Sequence, residues 1–247
     1  LTSTDADLNV TTNAADHKVV YEEGMYKVVE KVYVAQIGEA KYESLAEALE
    51  EAKGESNIVV NLLGDATLDV TAWDDLAIGG DATQSITING NGNTLTFNKL
   101  NSDWNHVATN GATLILNNMT ITDSGRNNGP WNRYDINFAC NVELNNVTAM
   151  KALAFKAGAE LNNVTINESG DNYAIWIQPN GQTVAINGLV VNSAGRGIKI
   201  DNQYAENDPA VVTLTVRNAT FTTVKKAAIM VKSAAATNVT LNNVDIS

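Results

Sequence analysis

One cysteine in 247 residues excludes a disulfide framework within the chain and any cysteine-built zinc or iron–sulfur centre. No apolar run is longer than a few residues, so no segment of this sequence is fit to insert through the roughly 30 Å hydrocarbon layer of a bilayer as a helix. Basic side chains are scarce, 16 against 28 acidic ones, and the resulting formal charge of −12 would repel a phosphate backbone, which excludes nucleic acid as a partner. Proline is nearly absent at three residues. With 44% hydrophobic residues the chain has enough apolar material for a substantial core, so it does not have the make-up of a disordered tail.

What the sequence does have is asparagine, 33 residues of it. A single theme uses it repeatedly: Leu114-Ile-Leu-Asn-Asn-Met-Thr-Ile121, Val142-Glu-Leu-Asn-Asn-Val-Thr-Ala149, Ala159-Glu-Leu-Asn-Asn-Val-Thr-Ile166, Val184-Ala-Ile-Asn-Gly-Leu-Val-Val191, Leu214-Thr-Val-Arg-Asn-Ala-Thr-Phe221 and Val239-Thr-Leu-Asn-Asn-Val-Asp-Ile246, with Ile86-Thr-Ile-Asn-Gly90 a looser copy. The marker positions Asn89, Asn117, Asn145, Asn162, Asn187, Arg217 and Asn242 follow at steps of 28, 28, 17, 25, 30 and 25 residues, so the variation belongs to loops.

Within each copy apolar and polar residues alternate, break at Asn-Asn or Asn-Gly, and alternate again. That pattern describes two short strands about a sharp bend, where asparagine tolerates the left-handed conformation. A third alternating strand falls between copies, at Ile136–Phe138, Leu153–Phe155, Ile175–Ile177, Ile198–Ile200 and Ile229–Val231. Three short strands per turn with no helical pattern between them predict an all-β, right-handed parallel β-helix of 7–8 coils. Leu116, Leu144, Leu161, Ile186, Val216 and Leu241 should stack inward, and the bend asparagines should form a ladder of amides. Asn118, Asn146, Asn163, Asn218 and Asn238 stand in glycosylation sequons, but four of these belong to the repeat, which favours a bend role. Cys140 shares parity with Phe138 and Val142 and should be a buried thiol.

Ahead of the repeats, Tyr42–Ala52 carries Ser44 followed three residues later by Glu47, with apolar residues at 45, 48, 49 and 52. This is a capping box opening an amphipathic helix, suited to close one end of the stack. The expected layout is therefore 1–32 as the tail of a preceding module or linker, 33–56 as a strand and capping helix, and 57–247 as the β-helix. The acidity concentrates early, since residues 1–55 hold twelve Asp/Glu and five Lys/Arg.

The run Val34-Ala-Gln-Ile-Gly-Glu-Ala-Lys-Tyr-Glu-Ser-Leu-Ala-Glu-Ala-Leu49, followed by Asn57-Ile-Val-Val-Asn-Leu62 and Ile86-Thr-Ile-Asn-Gly-Asn-Gly-Asn-Thr-Leu95, resembles the start of pectin-lyase-like β-helix domains, above all those in large surface proteins of gut-dwelling, chiefly Gram-positive bacteria. The resemblance covers about residues 33–247. It implies an extracellular location, secreted or attached to the cell surface, other modules in the same longer chain, and a glycan or a host or bacterial surface component as partner. The superfamily includes polysaccharide lyases and glycoside hydrolases, so an enzyme must be weighed. Of the polygalacturonase-like motifs this chain offers only the imperfect Arg196-Gly-Ile-Lys199 and Asp74-Asp75, and it has no Gly-His-Gly. Its two histidines, His17 and His106, lie outside the coils. In the strand comparable to that of pectate lyases, Gln178 takes the acidic place, and the lyase loses its metal ligand. Register brings Glu143 and Glu160 one coil apart and outward, a weak candidate for a catalytic pair at the spacing of a retaining glycosidase.

A recognition face has more support. Trp176 falls at an outward position, where parity leaves it facing solvent beside Lys199, and the long loop 127–134 lies between the same types of strand. Arg126, Trp131, Arg133, Tyr134, Tyr173, Trp176, Arg196, Lys199 and Asp201 would gather there as aromatic plates and planar hydrogen-bonding groups, which is what a sugar requires. The expectation is a non-catalytic module for adhesion or carbohydrate binding, with a structural stalk segment or a polysaccharide-degrading enzyme as alternatives. It needs no cofactor, and the one ion it would accommodate is a surface calcium.

Overall fold

The structure of the protein, a computed structural model, describes residues 10–70, 76–99, 107–124, 136–167, 173–178, 180–201, 211–232 and 237–246. It comprises two compact units, Leu1–Tyr33 and Val34–Ser247. The first contains an antiparallel hairpin of β1 (His17–Glu22) and β2 (Met25–Glu30). Its turn is made by Glu23 and Gly24 at φ 52° and 78°, the paired left-handed geometry whose twist matches the flanking strands. The Tyr21 and Tyr26 rings, opposite each other in register, lie 4.9 Å apart.

The second unit opens with β3 (Ala35–Ile37), β4 (Ala40–Tyr42) and helix α1 (Leu45–Glu51). Ser44 caps the helix: its hydroxyl accepts from the Glu47 N–H at 3.1 Å, while the Glu47 carboxylate accepts from the Ser44 N–H at 3.2 Å. The apolar stripe Leu45, Ala48, Leu49 and Ala52 is buried in the main core.

From there the chain winds through β5 (Asn57–Leu62), β6 (Ala66–Val70), β7 (Leu76–Ile78), β8 (Ser85–Asn89), β9 (Thr94–Lys99) and β10 (Val107–Thr109). Beyond this point the two strands that flank each bend join into one long strand. These are β11 (Thr113–Asp123), β13 (Val142–Ala149), β15 (Ala159–Ile166), β17 (Thr183–Val191), β19 (Val212–Phe221) and β21 (Thr237–Ile246). They alternate with β12 (Ile136–Phe138), β14 (Leu153–Phe155), β16 (Tyr173–Ile177), β18 (Ala194–Asp201) and β20 (Val224–Lys232). Like strands stack in parallel into a long sheet, β5-β8-β11-β13-β15-β17-β19-β21, and a short sheet, β7-β10-β12-β14-β16-β18-β20. The protein is a right-handed parallel β-solenoid of about six turns. That is slightly short of the 7–8 coils expected.

The inward column runs in register as Leu116, Leu144, Leu161, Ile186 and Val216, each at most 1% exposed. Leu241 continues the column but is 51% exposed, since β21 pairs with β19 on one side only among the described strands. The bends are as the sequence predicts: Asn118, Asn146, Asn163, Asn218 and Asn243 hold φ between 52° and 56°. Asn163 donates to Asn146 at 3.1 Å and Asn146 to Asn118 at 3.0 Å, so four of the five sequon asparagines are bend residues. Cys140 is buried, and its thiol donates to the Val107 carbonyl at 3.6 Å.

Candidate functional site

Strand parity in β16 and β18 decides which side chains leave the core. Ile175, Ile177, Ile198 and Ile200 point inward, which places Trp176 and Lys199, register partners, on the outer surface of the short sheet. Alternation breaks at the start of β16, where Ala174 and Ile175 both lie in the main core, and Tyr173 therefore joins the outer group. Tyr173 and Trp176 form a second apolar cluster with Ala152 and Ala154, their ring centroids 5.4 Å apart.

Lys199 ties this cluster together. Its Nζ lies 5.2 Å from the Trp176 ring centre and 5.5 Å from that of Tyr173, within the range of cation–π attraction. The same ammonium pairs with the Asp201 carboxylate at 2.8 Å, the two side chains being only 13% and 6% exposed. The Trp176 indole N–H donates to the Asp201 carbonyl at 3.0 Å. Sequence parity places Trp176 correctly outside the core, but the expectation that it faces solvent is corrected: the ring is 2% exposed. Parity reports which side of a strand a residue occupies, whereas its cover, among the described residues, includes Tyr173, Lys199 and Asp201. An aromatic plate for a sugar needs an open ring face; this one is closed.

Of the nine residues expected to form the recognition face, the structure brings Tyr173, Trp176, Lys199 and Asp201 into contact. Arg196 is the register partner of Tyr173, beside an irregularity in the pairing of β18 with β20 between Ala194 and Arg196. Its Nε is buried with no hydrogen-bond acceptor among the described residues. Arg126, Trp131, Arg133 and Tyr134 lie outside the described residues, as do Asp74, Asp75 and His106. Gly197 follows Arg196 because nothing larger fits: a Cβ there would lie 2.3 Å from the Ala228 carbonyl oxygen and 2.4 Å from the Phe221 ring.

Glu143 and Glu160 are register partners on the outer face of the long sheet, over a groove of about 300 Å³ that is also lined by Asn141, Gly158 and Thr183. Glu160 accepts from Asn162 Nδ2 at 3.3 Å. A glycosidase acid is kept protonated by an apolar, water-poor pocket. Glu143 is half-buried and Glu160 exposed, so neither has that setting. Among the described residues no group of three or more His, Cys, Asp or Glu is arranged to hold a metal ion, and no helix is long and apolar enough to cross a membrane.

Sequence reasoning missed a second depression on the long sheet, lined by Glu160, Asn162, Ala185, Asn187, Thr215 and Arg217. Its signal was in the repeat: Arg217 stands at a marker position where the other copies have asparagine.

No protein-family model, curated protein or solved structure matches the chain.

Proposed function

We propose that the solenoid is a non-catalytic recognition module, of the pectin-lyase-like kind, in an extracellular surface protein, and that it binds carbohydrate through the outer face of the short sheet around Arg196. The observation that carries this is the buried Arg196 Nε, which has no acceptor among the described residues. Leaving a buried charged donor unpaired is costly, about 1–3 kcal/mol or more, and a ligand oxygen arriving there would remove the cost. The Tyr173, Trp176, Lys199 and Asp201 cluster beside it acts as rigid backing, since its charge is already paired internally. A guanidinium recognises planar carboxylates best, so a partly acidic polysaccharide suits this face better than a neutral one. The exposed setting of Glu160 and the half-buried one of Glu143 support binding over cleavage. Affinity should be modest, in the micromolar to millimolar range, with attachment to a host or bacterial surface gained by several modules acting together.

Titration of acidic oligosaccharide pools against the parent and Arg196→Ala tests this, with product analysis alongside. Binding that falls roughly tenfold or more in the variant supports the reading. Equal binding by both removes this face, and new reducing ends or unsaturated uronates would make the protein an enzyme.

A further inference from the structure

Along the long sheet the inner asparagine column spends each amide on its neighbour. Asn89 donates to Asn61 at 3.0 Å, Asn117 to Asn89 at 3.0 Å, Asn145 to Asn117 at 2.9 Å and Asn162 to Asn145 at 2.9 Å. The pattern stops at the next rung. Asn187 turns its Oδ1 instead to Asn218 of the adjacent column, which donates to it at 2.9 Å. Gly188 explains the turn: it holds φ 80°, and a Cβ there would lie 2.6 Å from Asn163 Oδ1, so the adjacent column has no amide at this level. Above Asn187 in register stands Arg217, which cannot extend a column of amides. As a result, Asn162 Oδ1, the Asn187 amide N–H groups and the Arg217 guanidinium have no partner among the described residues.

These unspent groups surround a cleft of about 520 Å³. Its floor is the methyl group of Ala185, the small residue in register between Glu160 and Thr215. We propose that this cleft binds a neutral, hydroxyl-rich stretch of a polysaccharide lying along the solenoid axis. Donors and acceptors alternate across it, as a ring of vicinal hydroxyls requires. Arg217 and Glu160 offset each other in charge, and Glu143 on the next rung disfavours an acidic sugar. Rungs repeat at about 4.8 Å, close to the advance of one pyranose in an extended chain, so successive sugars meet successive rungs. An extended peptide is a poorer occupant because β15, β17 and β19 are each paired along both edges and offer no free backbone for strand addition. The site is on the other sheet from Arg196. It rests on the carbohydrate-binding reading for the class of polymer, but not for its location.

The test is calorimetric titration of linear hexasaccharides of glucose, mannose and galactose, with hexagalacturonate and an uncharged decapeptide as controls. The proteins are the parent, Arg217→Asn, Arg217→Ala, Ala185→Gln and Arg196→Ala, each also melted. Arg217→Asn supplies the missing column member, so the fold should be kept or tightened while the site closes. At least one neutral hexasaccharide should bind the parent, weaken roughly tenfold or more in both Arg217 variants and in Ala185→Gln, and be unaffected by Arg196→Ala. Unchanged affinity in a folded Arg217→Asn variant would overturn the proposal, as would preferential binding of hexagalacturonate or the peptide in the cleft. Saccharide binding that follows Arg196 and ignores Arg217 would leave the carbohydrate reading standing and exclude this cleft. A parent that binds no saccharide at all would sink both.

Discussion

The first and last described rungs of the solenoid are built from the same kind of strand, yet they stand in opposite conditions. At β5 the stack is covered: β3 pairs antiparallel with it through Ala35 and Leu62, and Leu45, Ala48 and Leu49 of α1 are buried in the same core. At β21 the inward-column residues Val239, Leu241 and Ile246 are 37%, 51% and 63% exposed. Leu161 and Leu241 sit in the same motif and the same column, and differ by half of their surface. Burial in this fold is therefore a property of the stack, which each rung acquires from the rungs on either side.

Truncation of that pair gives the largest expected effect. Leu161→Ala should cost about 2–5 kcal/mol, because interior rungs hold the cavity open. Leu241→Ala should cost less than about 1 kcal/mol, since the side chain loses little burial. Chemical denaturation of both variants checks this, and equal losses would break the comparison. The amide ladder gives the next effect. Asn146 donates to Asn118 and accepts from Asn163, whereas among the described residues Asn243 only donates, to Asn218. Asn146→Ala should cost about 2 kcal/mol and Asn243→Ala about 1 kcal/mol, each variant also placing alanine at positive φ. Equal costs in the same denaturation series would show that the strained backbone, and not the ladder, sets the loss.

Most of the solenoid is legible in the sequence because its information is local and repeated. Leu116, Leu144 and Leu161 declare their register by position relative to the asparagine pair, and Ser44 with Glu47 declares the cap. Trp176 shows where this legibility ends. Its outward direction follows from period-two alternation, but its cover depends on how Lys199 and Asp201 of the next coil fold back on it, which no pattern within β16 encodes. The cleft at Arg217 is an intermediate case. The departure from asparagine is visible in the repeat, while its consequence, amides left unspent around Ala185, needs the register of three strands and the turn at Gly188.

The most localised effect belongs to the covered end. The Ser44 hydroxyl accepts a single N–H, from Glu47, on an exposed surface, so Ser44→Ala should cost about 1 kcal/mol. That is less than the interior Leu161 truncation but tied to one place. Its signature is the distribution of the loss: because α1 packs into the core over the first rungs, amides of α1 and β5 should exchange faster with solvent, while those of β15 and β17 keep their protection. In the parent, β21 should already exchange faster than β5, as its outer edge has no described strand beside it. Hydrogen exchange of the two proteins measures both contrasts in one experiment. If removing the cap leaves β5 as protected as before, the strand pairing of β3 closes this end of the stack and the helix is incidental to it.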